Sequence, residues 1–456
     1  MRRLRQIAER TPADRERYLD LLRAVAITAV VLGHWLIIVI GPDRRGHLTG
    51  HSALIDLPWA HPVTWLVQVL PLFFLVGGYA NAASLTSRRR RGGNAVEWLL
   101  DRSGRLLRPT TTLLLVLAAA ALVARLFGVG PEQIRIGVWF ATLPLWFLVA
   151  YLIVVVLTPP MYGLYRRYGF AVPAVLVVLV AVGDLARLHG QTELANGNFL
   201  FGWLAIHQVG FAWRDERARL ARPRVAVPLL VGGLAALVLL TVVGPYPVSL
   251  INVPGERLHN MSPPSLALLA AAAFQLGLAL LLRAPVERWL HRPRPWLVVI
   301  ALNSVVLTIF LWHVSAVVLL AGGLYQAGLL PNPPVNSLAW LLWRVPWLLM
   351  LTVLLAGLVA IFGPIEARSG RRRQTRPAWL PAGLCAVLRR PALQGPLVVA
   401  GFGAAAFGLL DNSLATKTGH TPLGLPTTAL VSYLAGAGVL RFLRAVPDQH
   451  GRSQPH

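Results

Sequence analysis

At 456 residues, 56% of them apolar and 13% charged, with a mean hydropathy of +0.61, the chain is not a soluble globular protein. Its net charge of +25 comes from 43 basic residues, all but Lys417 arginine, set in short runs between long apolar blocks. That spacing argues against nucleic acid as a partner and for a multi-pass membrane protein with basic inner loops, while the lone Cys385 excludes an internal disulfide.

In chain order, apolar runs long enough to cross a bilayer fall near 19–41, 63–86, 109–128, 138–157, 171–188 and 198–213. A second set falls near 225–243, 263–282, 297–322, 338–362, 394–411 and 424–441. With the N-terminus inside, the segments 1–18, 87–108, 158–170, 214–224, 283–296, 363–393 and 442–456 face the cytoplasm and carry most of the arginines. Shifting the register by one helix reverses that bias. The expectation is an all-α polytopic protein of about twelve transmembrane helices in a plasma or inner membrane, both termini cytoplasmic.

The first run follows Arg2, Arg3 and Arg5, as in a signal peptide, but no small-x-small site follows "LIIVIGPDRRG", so it reads as an uncleaved helix. His47, His51 and His61, scattered through the polar loop after it, read as solvated rather than metal-binding. The inner segments "NAVEWLLDRSGRLLR" (94–108) and "PAWLPAGLCAVLRRP" (377–391) each have an apolar and an arginine side and are expected to lie along the membrane interface.

Ionisable residues within a bilayer are costly and mark function. The first helix, "RYLDLLRAVAITAVVLGHW" (17–35), holds Asp20, Arg23 and His34. Eleven helical residues bring His34 within roughly 20° of the face of Arg23 and about 16 Å beyond it. Asp20 lies one turn before Arg23 and can pair with it. His34 is too deep to snorkel, and an apolar setting favours uncharged imidazole, the form a general base needs. His313 is expected at a similar depth, with Asn303 and Thr308 earlier on its helix, and His207 and Gln208 interrupt the sixth run. Gln68, Asn81 and Gln275 read as interhelical hydrogen-bonding groups, and Asp184 with Arg187 as a local ion pair near the outer surface.

The Arg-x10-His spacing within "LDLLRAVAITAVVLGHW" resembles the first-helix signature of the acyltransferase-3 family of integral membrane acyltransferases. "PLFFLVGGYANAAS" (71–84), "RSGRLLRP" (102–109), "LWFLVAYL" (145–152) and "TIFLWH" (308–313) are similar, in this order, to further blocks of that family. Gly77 stands where the family block usually has Ser, so no hydroxyl role carries over to that position. The likeness implies a ten-helix core at 19–365, after a tail at 1–18. A basic linker at 366–393, two additional helices at 394–441 and a tail at 442–456 would follow.

The resemblance further implies transfer of an acyl group, often acetyl from acetyl-CoA, to a hydroxyl on a carbohydrate, lipid or other cell-envelope acceptor. Acyl-CoA would be a co-substrate, with no bound cofactor or metal. Arg102, Arg105 and Arg108 are then expected to hold the CoA nucleotide at the inner face, since guanidinium forks suit phosphates. Arg23, oriented by Asp20, would guide the pantetheine, and His34 would act as catalytic base. His313, Asn303 and His207 are candidates for an acceptor cavity. The rival reading is a twelve-helix transporter or flippase of major-facilitator type, because "LDRSGRLL" (100–107) mimics that class's Asp-Arg-x-Gly-Arg loop. About fifteen residues separate it from the second run, however, and the two halves show no repeat.

Overall fold

The computed structural model describes residues 16–43, 46–215, 220, 222–369, 382–388, 390–417 and 421–446. Most of the tails at 1–18 and 442–456, and residues 370–381 and 389 of the linker at 366–393, lie outside the described residues.

Apolar runs in a bilayer must satisfy every backbone N–H and C=O internally, which drives them into helices. The protein is 78% helical, and ten helices among the described residues are long and apolar enough to cross a membrane. It is an all-α, multi-pass membrane protein. Helix α1 (Arg17–Ile37) ends four residues before the apolar run does, because Ile38 turns extended and starts a hairpin. Strand β1 (Ile38–Pro42) pairs antiparallel with β2 (Leu48–Ser52), Ile40 opposite Gly50. Residues 38–41, expected as the end of the first span, are strand instead, because β-branched Ile38, Val39 and Ile40 extend where the helix stops.

A single turn at Thr64–Val67 leads into α2 (Leu70–Arg90), and α3 (Ala95–Leu126) follows a capping box between Asn94 and Glu97. α3 is one unbroken helix of 32 residues. The segment 94–108, expected as a separate interfacial piece, is continuous with the rest of α3, and its Trp98, Leu99 and Leu100 are buried. The transporter-like "LDRSGRLL" is likewise helix, not loop. Next come α4 (Pro131–Thr142), α5 (Leu145–Tyr168), α6 (Ala171–Leu188), α7 (Asn198–Arg214) and α8 (Pro223–Val238), the last extended by a π-helical turn to Val243. Then follow α9 (Leu266–Leu290), α10 (Pro293–Ser304), α11 (Val306–Gln326), α12 (Leu338–Ser369), α13 (Pro391–Leu414) and α14 (Thr427–Ala445). α7, with 17 residues, and α14, whose C-terminal end carries Arg441 and Arg444, are not among the ten.

The run at 297–322, expected as one span, is broken: Val305 leaves helical geometry at φ −136°, ψ 22°, separating α10 from α11. α1 is enclosed by α2, α9, α10, α11 and α12, and α7 packs against α2, α5 and α6. Small residues permit these approaches, as membrane packing requires. A Cβ at Gly78 of α2 would run into the carbonyl of His207 and into Gly210 of α7. The pair α13–α14 packs on the outside of this core, α13 against α5 and α14 against α3. Arg135, almost fully buried, ties the connection between them to α4: Nη2 donates to Thr416 O at 2.7 Å and Nη1 to Gly424 O at 2.7 Å.

Candidate active site

The α1 helix ends just past His34, so this histidine sits in the last turn rather than deep in mid-helix. Its ring is half-buried against α11. Two indole hydrogen bonds set the register of the three helices that meet here. Trp35 Nε1 donates to His313 O at 2.9 Å, and Trp347 Nε1 of α12 donates to Trp35 O at 3.2 Å.

That register places His34 Nδ1 3.2 Å from His313 Nε2, with ring centroids 5.0 Å apart. His34 Nδ1 also lies 2.9 Å from Val30 O, and His313 Nδ1 lies 2.6 Å from Phe310 O. A carbonyl can only accept, so each Nδ1 carries the proton of a neutral ring. His34 Nδ1–H is then shared between Val30 O and the bare Nε2 of His313. This fixes the ring and, in its neutral form, makes His34 Nε2 the nitrogen without a proton; that atom has no hydrogen-bond partner among the described residues.

Toward the other end of α1, Arg23 Nη1 pairs with Asp20 Oδ1 at 3.2 Å and donates to Asn303 Oδ1 at 3.5 Å. Asn303 Nδ2 in turn donates to Asp20 O at 2.8 Å. Asn303 is the penultimate residue of α10, so the helix break lies beside the arginine end of the α1 stripe, not beside His34. The amides opened by the break are satisfied by Glu366 from the end of α12. Its carboxylate accepts from Leu307 N at 3.1 Å, Thr308 N at 2.7 Å and Thr308 Oγ1 at 2.6 Å. A carboxylate at a helix N-terminus meets both the free donors and the helix dipole.

Of the three candidate arginines on α3, Arg102 and Arg108 part company. Arg102 bonds Ser84 Oγ at 2.5 Å and lies within electrostatic reach of Arg23, Arg105, Asp101 and the phenol of Tyr151. Arg108 turns to the other side of α3, where Nη1 donates to Arg368 O at 3.4 Å. His207 is not part of the His34–His313 pair. It is buried between α7 and α2, with Nε2 3.2 Å from Asn81 Nδ2 and Arg102 close enough to act on it. Gln275 Nε2 donates to Gln68 O at 2.9 Å, Gln208 Nε2 donates to Met161 O at 3.2 Å, and Arg187 pairs with Asp184 at 3.6 Å.

Sequence reasoning passed over Glu366, Tyr151 and Arg344. Arg344 is a buried cation on α12 that stacks 4.3 Å over Trp340 and donates to Ile38 O at 3.4 Å. An arginine inside the apolar run 338–362 was itself a legible signal. From His313, ring contacts through Phe310, Phe147 and Trp146 lead to a cavity of about 660 Å³. Trp139, Asn196, Asn252 and Asn412 line it, and among the described residues no charged one does.

A family model described as an acyltransferase domain matches residues 16–366. No curated protein and no solved structure matches the chain significantly. The matched span covers well over half the sequence and carries the His34–His313 pair, the Arg23–Asp20–Asn303 cluster and the Glu366 cap, and on that ground the chain belongs to the acyltransferase-3 family of membrane acyltransferases.

Proposed function

We propose that the protein moves an acyl group, in the simplest case acetyl, from acyl-CoA to a hydroxyl of a carbohydrate, lipid or other cell-envelope acceptor. The observation that carries this reading is the orientation of His34. Nδ1–H is held by Val30 O and His313, which leaves Nε2 as the nitrogen available to act as a base. In the proposed step, Nε2 takes the acceptor hydroxyl's proton while that oxygen attacks the thioester carbonyl. The C–S bond breaks, and the proton passes from His34 to the departing thiolate, giving free CoA. An acyl-histidine intermediate on the same nitrogen is the variant of this scheme.

Arg23, Arg102 and Arg105 would meet the diphosphate and nucleotide of CoA. Cations held within reach of one another across two helices make a site for a polyanion. Asp20 and Asn303 would orient Arg23, and the pantetheine arm would span the roughly 16 Å from Arg23 to His34. His313 would position His34. His207, joined to Asn81 and near Arg102, would line the donor side. The uncharged cavity beyond Phe310 would receive the acceptor. In this reading α7 and α14 also cross the bilayer, making twelve spans in a plasma or inner membrane with both termini cytoplasmic.

The test is His34→Ala in membranes supplied with radiolabelled acetyl-CoA. Loss of acceptor labelling by a normally inserted variant is expected; full labelling overturns the role.

A further inference from the structure

The arginine that parts from its neighbours on α3 leads to a second site. Arg108, Arg368, Arg441 and Arg444 come from α3, α12 and α14 and line one groove of about 590 Å³. Among the described residues lining it, none is acidic. The four belong to both sides of the family boundary at residue 366: Arg108 lies within the matched domain and the other three beyond it. Gly104 makes room for one of them, because a Cβ there would overlap the Arg444 guanidinium, which is 8% exposed.

Positive-inside topology explains arginines at the inner face of a membrane, but not the convergence of four on one cavity. The groove is also graded. Its arginines gather around Gly104–Arg108 and Arg441–Arg444, with Leu107 among them, while Leu115 and Leu434 continue it into the apolar layer. From Ser103 to Leu115 the wall of α3 runs about 18 Å, and from Arg444 back to Leu434 the wall of α14 runs about 15 Å. Leu115 is half exposed, so the apolar end opens sideways toward lipid. A soluble phosphate or a nucleotide would leave that end empty.

We propose that this groove binds an anionic phospholipid of the inner leaflet, its phosphate held by the arginines and one acyl chain lying along Leu107, Leu115 and Leu434. The leaflet rests on the orientation given above; the lipid site does not depend on the acyl-transfer reading. A lipid seated there would bridge the family domain and the added helices α13 and α14.

Native mass spectrometry of the full chain, extracted in mild detergent and titrated with dioleoylphosphatidylglycerol or dioleoylphosphatidylcholine, tests this. The wild-type and His34→Ala proteins should both retain phosphatidylglycerol in preference to phosphatidylcholine. The double variant Arg368→Gln/Arg441→Gln should bind it about tenfold more weakly, with Arg368→Lys/Arg441→Lys retaining most of the affinity. Unchanged retention by the Gln pair, equal retention of phosphatidylcholine, or displacement of the lipid by CoA would each overturn the proposal. The same loss in an Arg166→Gln/Arg167→Gln control, which alters a separate basic pair at the end of α5, would overturn it too.

Discussion

Nδ1 of His34 stands 3.2 Å from Nε2 of His313, although the two residues are 279 positions apart in the chain. The contact makes one imidazole the holder of the other, and it separates their expected phenotypes. His313→Ala should lower kcat for acyl-CoA thiol release by about ten- to a hundredfold while leaving KM nearly unchanged. Adding it to His34→Ala should cause little further loss, since residues acting as a unit are not additive. Purified variants assayed by thiol release check both values.

The donor side makes a contrasting prediction. Arg23→Gln and Arg102→Gln should each raise KM for acyl-CoA by about tenfold, the cost of one charge-assisted hydrogen bond to phosphate. Arg108→Gln, which faces the other side of α3, should leave that KM unchanged. Initial rates across a range of acetyl-CoA concentrations distinguish the two sets.

Glu366 holds the N-terminus of the helix that carries His313. Glu366→Ala removes three accepted hydrogen bonds and should destabilise the protein by about 1–2 kcal/mol. Glu366→Gln, which can still accept from Thr308, should cost less. Thermal unfolding in detergent, followed by intrinsic fluorescence, gives the comparison.

At Gly78 any side chain meets the backbone of α7. Gly78→Val should force the two helices apart at a cost of about 1–3 kcal/mol. It should also loosen the Asn81–His207 bond one turn further along α2. The yield of monodisperse protein after extraction, with its melting temperature, reports the first effect.

Arg135 is one tie between the family domain and the added helices, beside Trp139 Nε1 on Ala415 O and Tyr433 OH on Leu107 O. Arg135→Leu leaves the carbonyls of Thr416 and Gly424 without that donor and should cost about 1–3 kcal/mol. The loss should be concentrated at the α13–α14 connection, seen as faster amide exchange around 415–426. Arg135→Lys should rescue it only in part, because a single ammonium cannot reproduce the fork.

What the sequence by itself determined is the solvent and the local form. Apolar runs punctuated by arginine clusters made this a multi-pass membrane protein, since a bilayer admits such runs only as helices whose backbone bonds close within the segment. An Arg and a His spaced eleven apart also fall on one face of a helix from periodicity alone. Local pattern misled where a neighbour decided the outcome. Residues 94–108 look amphipathic, yet Trp98 and Leu100 are buried by other helices and α3 runs on unbroken. Residues 297–322 look continuous, yet the chain breaks at Val305, and Glu366, 58 positions beyond Thr308, caps the exposed end.

Only the tertiary structure decided that His313 faces His34, that His207 does not, and that Arg102 and Arg108 of one helix meet different neighbours. The physical reason is that helix periodicity sets the direction of a side chain only relative to its own axis. Which axis lies opposite depends on small residues such as Gly78 and Gly210 that let particular helices meet, and on the indole hydrogen bonds of Trp35 and Trp347 that lock their register.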